Sequence, residues 1–163
     1  MLQGPGQFRD ALKQLLHAQG ECANELLDAL ERERSALADG DAEQLDLLTR
    51  EKTALLGRLD ELGHRQQQLF SDLAFNDSDH DIDRALAWCD PRAELSETRR
   101  TIGQRLQRCR ELNERNGLTV QYRLGYVRRA LDVLNGAPAG SSGVYGPNGR
   151  TSAASPSRLL ASG

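Results

Sequence analysis

From Leu45 to Leu73 one stripe of side chains returns every three or four residues: Leu45, Leu48, Lys52, Leu55, Leu59, Leu62, Gln66, Leu69 and Leu73. This heptad register constrains the fold more than any other feature, because a seam repeating every 3.5 residues is hidden from water only when another helix lies along it. Asp46–Arg50 and Glu61–Arg65 flank the seam as i,i+4 pairs, each contributing a few tenths of a kcal/mol. Upstream, Phe8, Leu12, Leu15, Leu16, Ala23, Leu26, Leu27, Leu30 and Leu37 recur at the same spacing and predict a helix from about Gln7 to Ala38. Between the two lies "ADGD". Gly40 suits the left-handed conformation that closes a helix, and Asp41 with Gln44 three residues on predicts a capping box for the next. Two long helices joined by so short a turn are antiparallel neighbours. The first half therefore reads as a coiled-coil hairpin, its second helix running from Ala42 to about Ala74.

"FNDSDHDID" interrupts the pattern, and a short third helix follows with Ile82, Ala85, Leu86 and Cys89 on one side and Trp88 beside them. "CDPRAE" predicts a restart, with Asp90 as cap and Pro91 in the first helical position. A single stripe then runs through Leu95, Ile102, Leu106, Cys109, Asn113, Asn116, Val120, Leu124, Val127, Leu131 and Leu134, predicting one helix from Pro91 to about Asn135. Gly117 lies within it at a cost of about 1 kcal/mol. The chain contains 27 Leu against two Ile and four Val. That excludes a strand-built fold, since β-branched residues are the usual strand material. The fold class is all-α: a long antiparallel hairpin, a short helix and a long C-terminal helix in an elongated bundle. Residues 1–136 form the helical domain, and 137–163, rich in Gly, Ser and Pro, read as a flexible tail unable to bury enough to order itself.

The last helix is two-sided near its end. With Val120 at zero and about 100° per residue, Val120, Leu124, Val127, Leu131 and Leu134 form one stripe, and Leu118, Tyr122, Tyr126 and Val133 lie roughly opposite. Upstream of Leu118 that opposite face is charged, with Arg100, Gln104, Gln107, Arg108, Glu111 and Arg115. At 1.5 Å per residue the last helix spans about 65 Å against roughly 50 Å for each arm of the hairpin, so its C-terminal end is expected to outrun them by about 15 Å. A second apolar stripe that begins where intramolecular partners run out has the look of a surface for another protein. Spacing alone leaves open that the chain's own tail, the short helix or a second copy covers it.

Other motifs carry less. Net charge is −3 with a pI of about 5.6, unlike the basic domains that bind nucleic acid. "MLQGPGQFRD" lacks a basic-then-apolar signal sequence, and no run reaches the length of a membrane span, which makes the cytosol the expected setting. Cys22, Cys89 and Cys109 are odd in number and widely spaced, as free thiols rather than a disulfide framework. "DSDHDIDRALAW" places Ile82 and Trp88 where a calcium loop begun at Asp77 requires Gly and Glu. In "TRRTIGQRLQRCRELNER" acids interleave with the arginines and no aromatic platform for bases accompanies them, as on a solvated helical face. "GVYGPNGRTS" lacks the spacing and the Lys-Ser/Thr of a phosphate loop. His17, His64 and His80 stand apart from one another and from the cysteines. The reading is a non-enzyme with no metal and no cofactor. Asn113 and Asn116 place amides on the apolar seam, where they fix register or edge a partner groove.

Three segments resemble one known family. "LERERSALADGDAEQLDLLTREKTALLGRLDEL" is similar to the N-terminal hairpin of the FlgN family of flagellar export chaperones. "NERNGLTVQYRLGYVRRALDVLNG" resembles that family's Asn-x-x-Asn-Gly segment leading into an amphipathic helix. "VYGPNGRTS", about 28 residues later, is similar to its Tyr-Gly-x-x-Gly tail element. The resemblance implies a cytosolic chaperone of flagellar type III export that binds the hook–filament junction proteins FlgK and FlgL by their C-terminal helical segments and delivers them to the export gate. It implies client binding by Leu118, Val120, Leu124, Val127, Leu131 and Leu134. It further implies docking on the gate protein FlhA by Tyr145, with Gly146 and Gly149 shaping its turn. Neither nucleic acid nor membrane insertion enters such a role. The ending after Thr151 has no counterpart in the family pattern. A homo-oligomeric coiled-coil structural protein is the alternative.

Overall fold

The computed structural model describes residues 4–73 and 79–135. These form four helices: α1 (Pro5–Asp39), α2 (Ala42–Ser71), α3 (Asp79–Cys89) and α4 (Glu94–Leu134). The all-α expectation holds, and α4 is one helix through Asn116 and Gly117. α1 begins a little before Gln7, because Pro5, which has no N–H to leave unpaired, occupies its first turn. The chain divides into two compact units, Met1–Gln121 and Tyr122–Gly163, with the division falling within α4.

The hairpin turn follows from its two central residues. Gly40 takes φ 74°, and the N–H groups of Gly40 and Asp41 both return to the Ala36 carbonyl, as in a Schellman closure. Asp41 then accepts a hydrogen bond from the Gln44 N–H at 3.0 Å and caps α2. The reciprocal half of a capping box is absent because the Asp41 N–H is already committed to Ala36. The arms run antiparallel, with cross-links from Gln19 to Gln66, Arg58 to Glu25 and Arg32 to Glu51.

α1 is the spine of the first unit. Its N-terminal half joins Phe70, Ile82, Ala85, Leu86, Leu95 and Ile102 in one core cluster. Its C-terminal half joins Leu48, Leu55, Leu62, Cys109 and Leu112 in a second. The first cluster is keyed by Phe8, which is fully buried, meets Phe70 edge-on with centroids 5.5 Å apart, and lies 6.0 Å from the Trp88 ring. α4 runs parallel to α1: Arg9 pairs with Glu94, Ile102 lies against Gly20, and Asn116 reaches Leu30.

The start of α4 departs from the sequence expectation. Asp90 is buried and does not cap a helix beginning at Pro91. One of its carboxylate oxygens accepts a hydrogen bond from the Leu95 N–H at 2.7 Å, and the other faces Arg9 Nε at 3.6 Å. The residues between wind through a turn closed by Ala93 N–H to the Asp90 carbonyl, and Ala93 adopts φ 57°. A side chain in that region costs about 1–2 kcal/mol. The anchored Asp90 therefore sets the helix start three residues later than its proline does.

The seam of α4 also differs in one position. Asn113 is exposed at the edge, and Leu112, about 100° round the helix, is buried instead. A straight helix drifts by about 20° per heptad from a strict 3.5-residue repeat, which moves the contact line off Asn113. Asn116 stays buried. Its amide donates to the Leu30 carbonyl at 2.9 Å and to Glu33 at 2.8 Å, while Lys52 of α2 holds the other Glu33 oxygen at 2.7 Å and donates to Asn113 at 3.2 Å. Glu33 and Lys52 side chains are only 11% and 17% exposed, so this is a partly buried network joining α1, α2 and α4.

Two outcomes follow from this packing. Asn116→Ala, which leaves Glu33 and a backbone carbonyl short of a donor, should destabilise the first unit by about 1–3 kcal/mol in urea unfolding, whereas Asn113→Ala at the exposed rim should cost less than about 0.5 kcal/mol. Cys22, Cys89 and Cys109 are all buried, and burial pushes each thiol upward from its ordinary value, with the Asp90 carboxylate adding to the effect at Cys89. A thiol held protonated and out of solvent reacts slowly. Titration with an aromatic disulfide reagent at pH 8 should therefore leave all three thiols unreacted on the timescale that consumes free cysteine, and release them together once the chain is unfolded.

Candidate docking helix

The buried side of α4 ends at Asn116, held by Glu33 and the Leu30 carbonyl. At the hairpin turn Ala36 and Leu37 are buried and Leu48 is fully enclosed, while Leu47 stays about half exposed. Every large apolar residue of α4 from Leu118 onward is exposed, from Val120 at 41% to Leu134 at 81%. Helix formation there rests on Leu, Arg, Ala and Gln, against the cost of Gly117 and Gly125.

Continuity of α4 fixes which of these residues share a face. Val120, Leu124, Val127, Leu131 and Leu134 fall within about 80° of one another. Leu118 does not join them. It lies about 160° from Val120, on the side of Tyr122, Tyr126 and Val133. Arg123 and Arg128 border the Val120 stripe on its two edges, and Arg129 lies on the opposite face. Between residues 117 and 135 three arginines face a single acid, Asp132, so the segment is +2 in a chain of −3. Tyr145, Gly146 and Gly149 lie outside the described residues.

The polar network explains the Asn-x-x-Asn-Gly segment in physical terms: Asn113 and Asn116 hold α4 to the hairpin directly before the exposed stripes begin. Glu33 is the member that the sequence reading did not single out. Its signal was visible, as a carboxylate inside the apolar series Leu26, Ala29, Leu30, Ala36 and Leu37 where a leucine would have continued the stripe.

Several charged groups of α4 pair locally. Arg100 makes two hydrogen bonds to Glu97, Arg108 approaches Glu111 at 3.8 Å, and Arg99 approaches Asp83 at 3.7 Å, so three arginines of the arginine-rich stretch of α4 have acidic partners. His17 and His64 sit exposed beside Glu21 and Asp60. Among the described residues no group of three or more His, Cys, Asp or Glu is placed to hold a metal, and no helix is long and apolar enough to cross a membrane. An open groove of about 820 Å³ runs between α2 and α4 over Leu16 and Leu26 of α1, lined by Leu56, Leu59, Ile102 and Leu106. Its polar members include Asp60, Arg110 and the pair Gln19 and Gln66, in which the Gln19 amide donates to Gln66 at 3.1 Å.

No curated protein and no solved structure matches the chain. The family model described as FlgN protein matches residues 1–153, which include the hairpin, the Asn-x-x-Asn-Gly segment, the exposed stripes and the Tyr-Gly-x-x-Gly element. The chain thus belongs to the FlgN family, a family of flagellar export chaperones.

Proposed function

We propose that the chain is a cytosolic export chaperone for the hook–filament junction proteins FlgK and FlgL. It binds their C-terminal helical segments before export and delivers them to the gate protein FlhA. The observation that carries this reading is the exposure of Val120, Leu124, Val127, Leu131 and Leu134 along one helical face. A stripe of that kind takes an amphipathic helix, which lays its own apolar side along it. Arg123 and Arg128 on the two edges favour a client whose apolar face is bordered by carboxylates, and such charges speed encounter and set register more than they add affinity. The chaperone acts by binding alone, with no cofactor and no chemical step.

Delivery falls to the tail beyond 136, through Tyr145 with Gly146 and Gly149. A tyrosine suits a docking anchor, having a large apolar ring, one hydroxyl and only two side-chain torsions to immobilise. The support for this assignment is the Tyr-Gly-x-x-Gly match within the span that fits the family.

Calorimetric titration of the purified chain with the C-terminal helical segment of FlgK tests the first claim. Val127→Ala and Leu131→Ala should each weaken binding by more than about 1 kcal/mol with an unchanged melting temperature, as expected for anchors on an exposed face. Lowered melting temperature with unchanged affinity would assign them to the fold instead. Tyr145→Ala should leave that titration unchanged and reduce capture of the chaperone–client complex by the cytosolic part of FlhA. Loss of client affinity in this variant would count against a separate delivery element.

A further inference from the structure

The stripe opposite the proposed client face is not absorbed by that reading. Leu118, Tyr122, Tyr126 and Val133 are 60%, 79%, 69% and 70% exposed, and Gly125 and Arg129 lie among them on the same side of α4. Arg129 is the cation on this face, and the single carboxylate of the segment, Asp132, lies at its edge about 60° away from Arg129. A partner must therefore offer apolar contact together with something that accepts a guanidinium.

The face carries its own complement. When two copies of α4 pack antiparallel with a two-fold axis between Gly125 and Tyr126, residue numbers at the same level add to 251. Leu118 is then level with the partner's Val133, and Tyr122 with the partner's Arg129. Each apolar residue thus meets another, and each guanidinium meets a tyrosine ring, the arrangement that a cation–π contact requires. At the axis the two Tyr126 rings lie side by side. Gly125 beside them has no Cβ to hold the helices apart, and a Cβ built there would meet nothing within 4 Å, so the space is open in the single chain. Closed two-fold pairing needs a self-complementary patch of this kind.

We propose that the Leu118–Tyr122–Tyr126–Val133 face of α4 is a homodimer interface, occupied by the same face of a second copy of this chain in antiparallel orientation. Sixteen residues of helix span about 24 Å. A helix pair of that length falls short of the roughly 800 Å² per partner of a standard stable interface, so the dimer is weak and reversible. It leaves the Val120 stripe, on the far side of each helix, uncovered.

Sedimentation velocity of the full chain over a range from about 1 to 300 μM tests this, together with circular dichroism to verify that each variant keeps its helices. The wild-type chain should move from monomer to dimer across that range. Tyr126→Glu, which sets two carboxylates side by side at the axis, should stay monomeric, and Arg129→Ala should weaken dimerisation at least threefold. Val127→Glu on the opposite stripe should dimerise like wild type. With a short bismaleimide, Tyr126→Cys should cross-link to dimers and Val127→Cys should not, the three native thiols being buried. A chain that remains monomeric at 300 μM overturns the proposal, as does a dimer that survives Tyr126→Glu or is lost with Val127→Glu. Titration with the FlgK segment separates the two readings: Tyr126→Glu should bind it normally even if the chaperone role is correct and the dimer is not, and Val127→Glu should fail to bind it whether or not the chain dimerises.

Discussion

The Glu33 carboxylate sits at the end of a leucine seam and is shared between a lysine of α2 and an amide of α4. Burying a charged pair costs solvation that the pair's attraction only partly returns, so such a site adds little to stability unless its geometry is complete. Here one carboxylate oxygen meets the Lys52 ammonium and the other the Asn116 amide, whose second donor goes to Leu30. What the network supplies is register. An apolar stripe on α4 could slide along the hairpin by a heptad and still bury leucines, whereas Asn116 has only one place where both of its donors are satisfied. Upstream of this point α4 is core, and downstream its apolar residues face solvent.

An apolar helix with two opposite stripes poses a problem that no single neighbour solves. A flat surface or one helix covers about a third to a half of a helix circumference, and the stripes of α4 are separated by edges bearing Arg123, Arg128 and Asp132. Isolated helices of this length are marginal in water and gain most of their stability from packing. The segment beyond Asn116 therefore has two independent reasons to bind, one for each face. A client helix on the Val120 side and a second chain on the Tyr122 side would satisfy them without competing for the same residues.

The hairpin was legible because its determinants are local. Gly40 and Asp41 specify the turn within four residues, and the leucine spacing specifies both arms. Asp90 shows where local reasoning stops. Its neighbour Pro91 is a good helix opener, yet the carboxylate is drawn into the core by Arg9, eighty-one positions away, and the chain between yields to it through the unusual backbone of Ala93. Asn113 and Leu112 show a subtler limit, since a heptad count cannot tell how a straight helix drifts across its partners. Glu33 and Lys52 were both visible as interruptions of apolar stripes, but only the fold shows that each interruption answers the other. The two stripes past Leu118 were read from spacing alone, and the structure adds that neither is covered within the described residues.

The aromatic residues are unevenly distributed along the chain. Its single tryptophan, Trp88, lies against Phe8 at the junction of α1 and α3, while all three tyrosines come at position 122 or later. Light absorbed at 295 nm thus reports on the junction of α1 and α3, and tyrosine emission reports on the chain from Tyr122 onward, the segment proposed to meet other proteins. The molecule carries two optical probes in separate parts of the chain, so unfolding and association can be followed in one cuvette without a label.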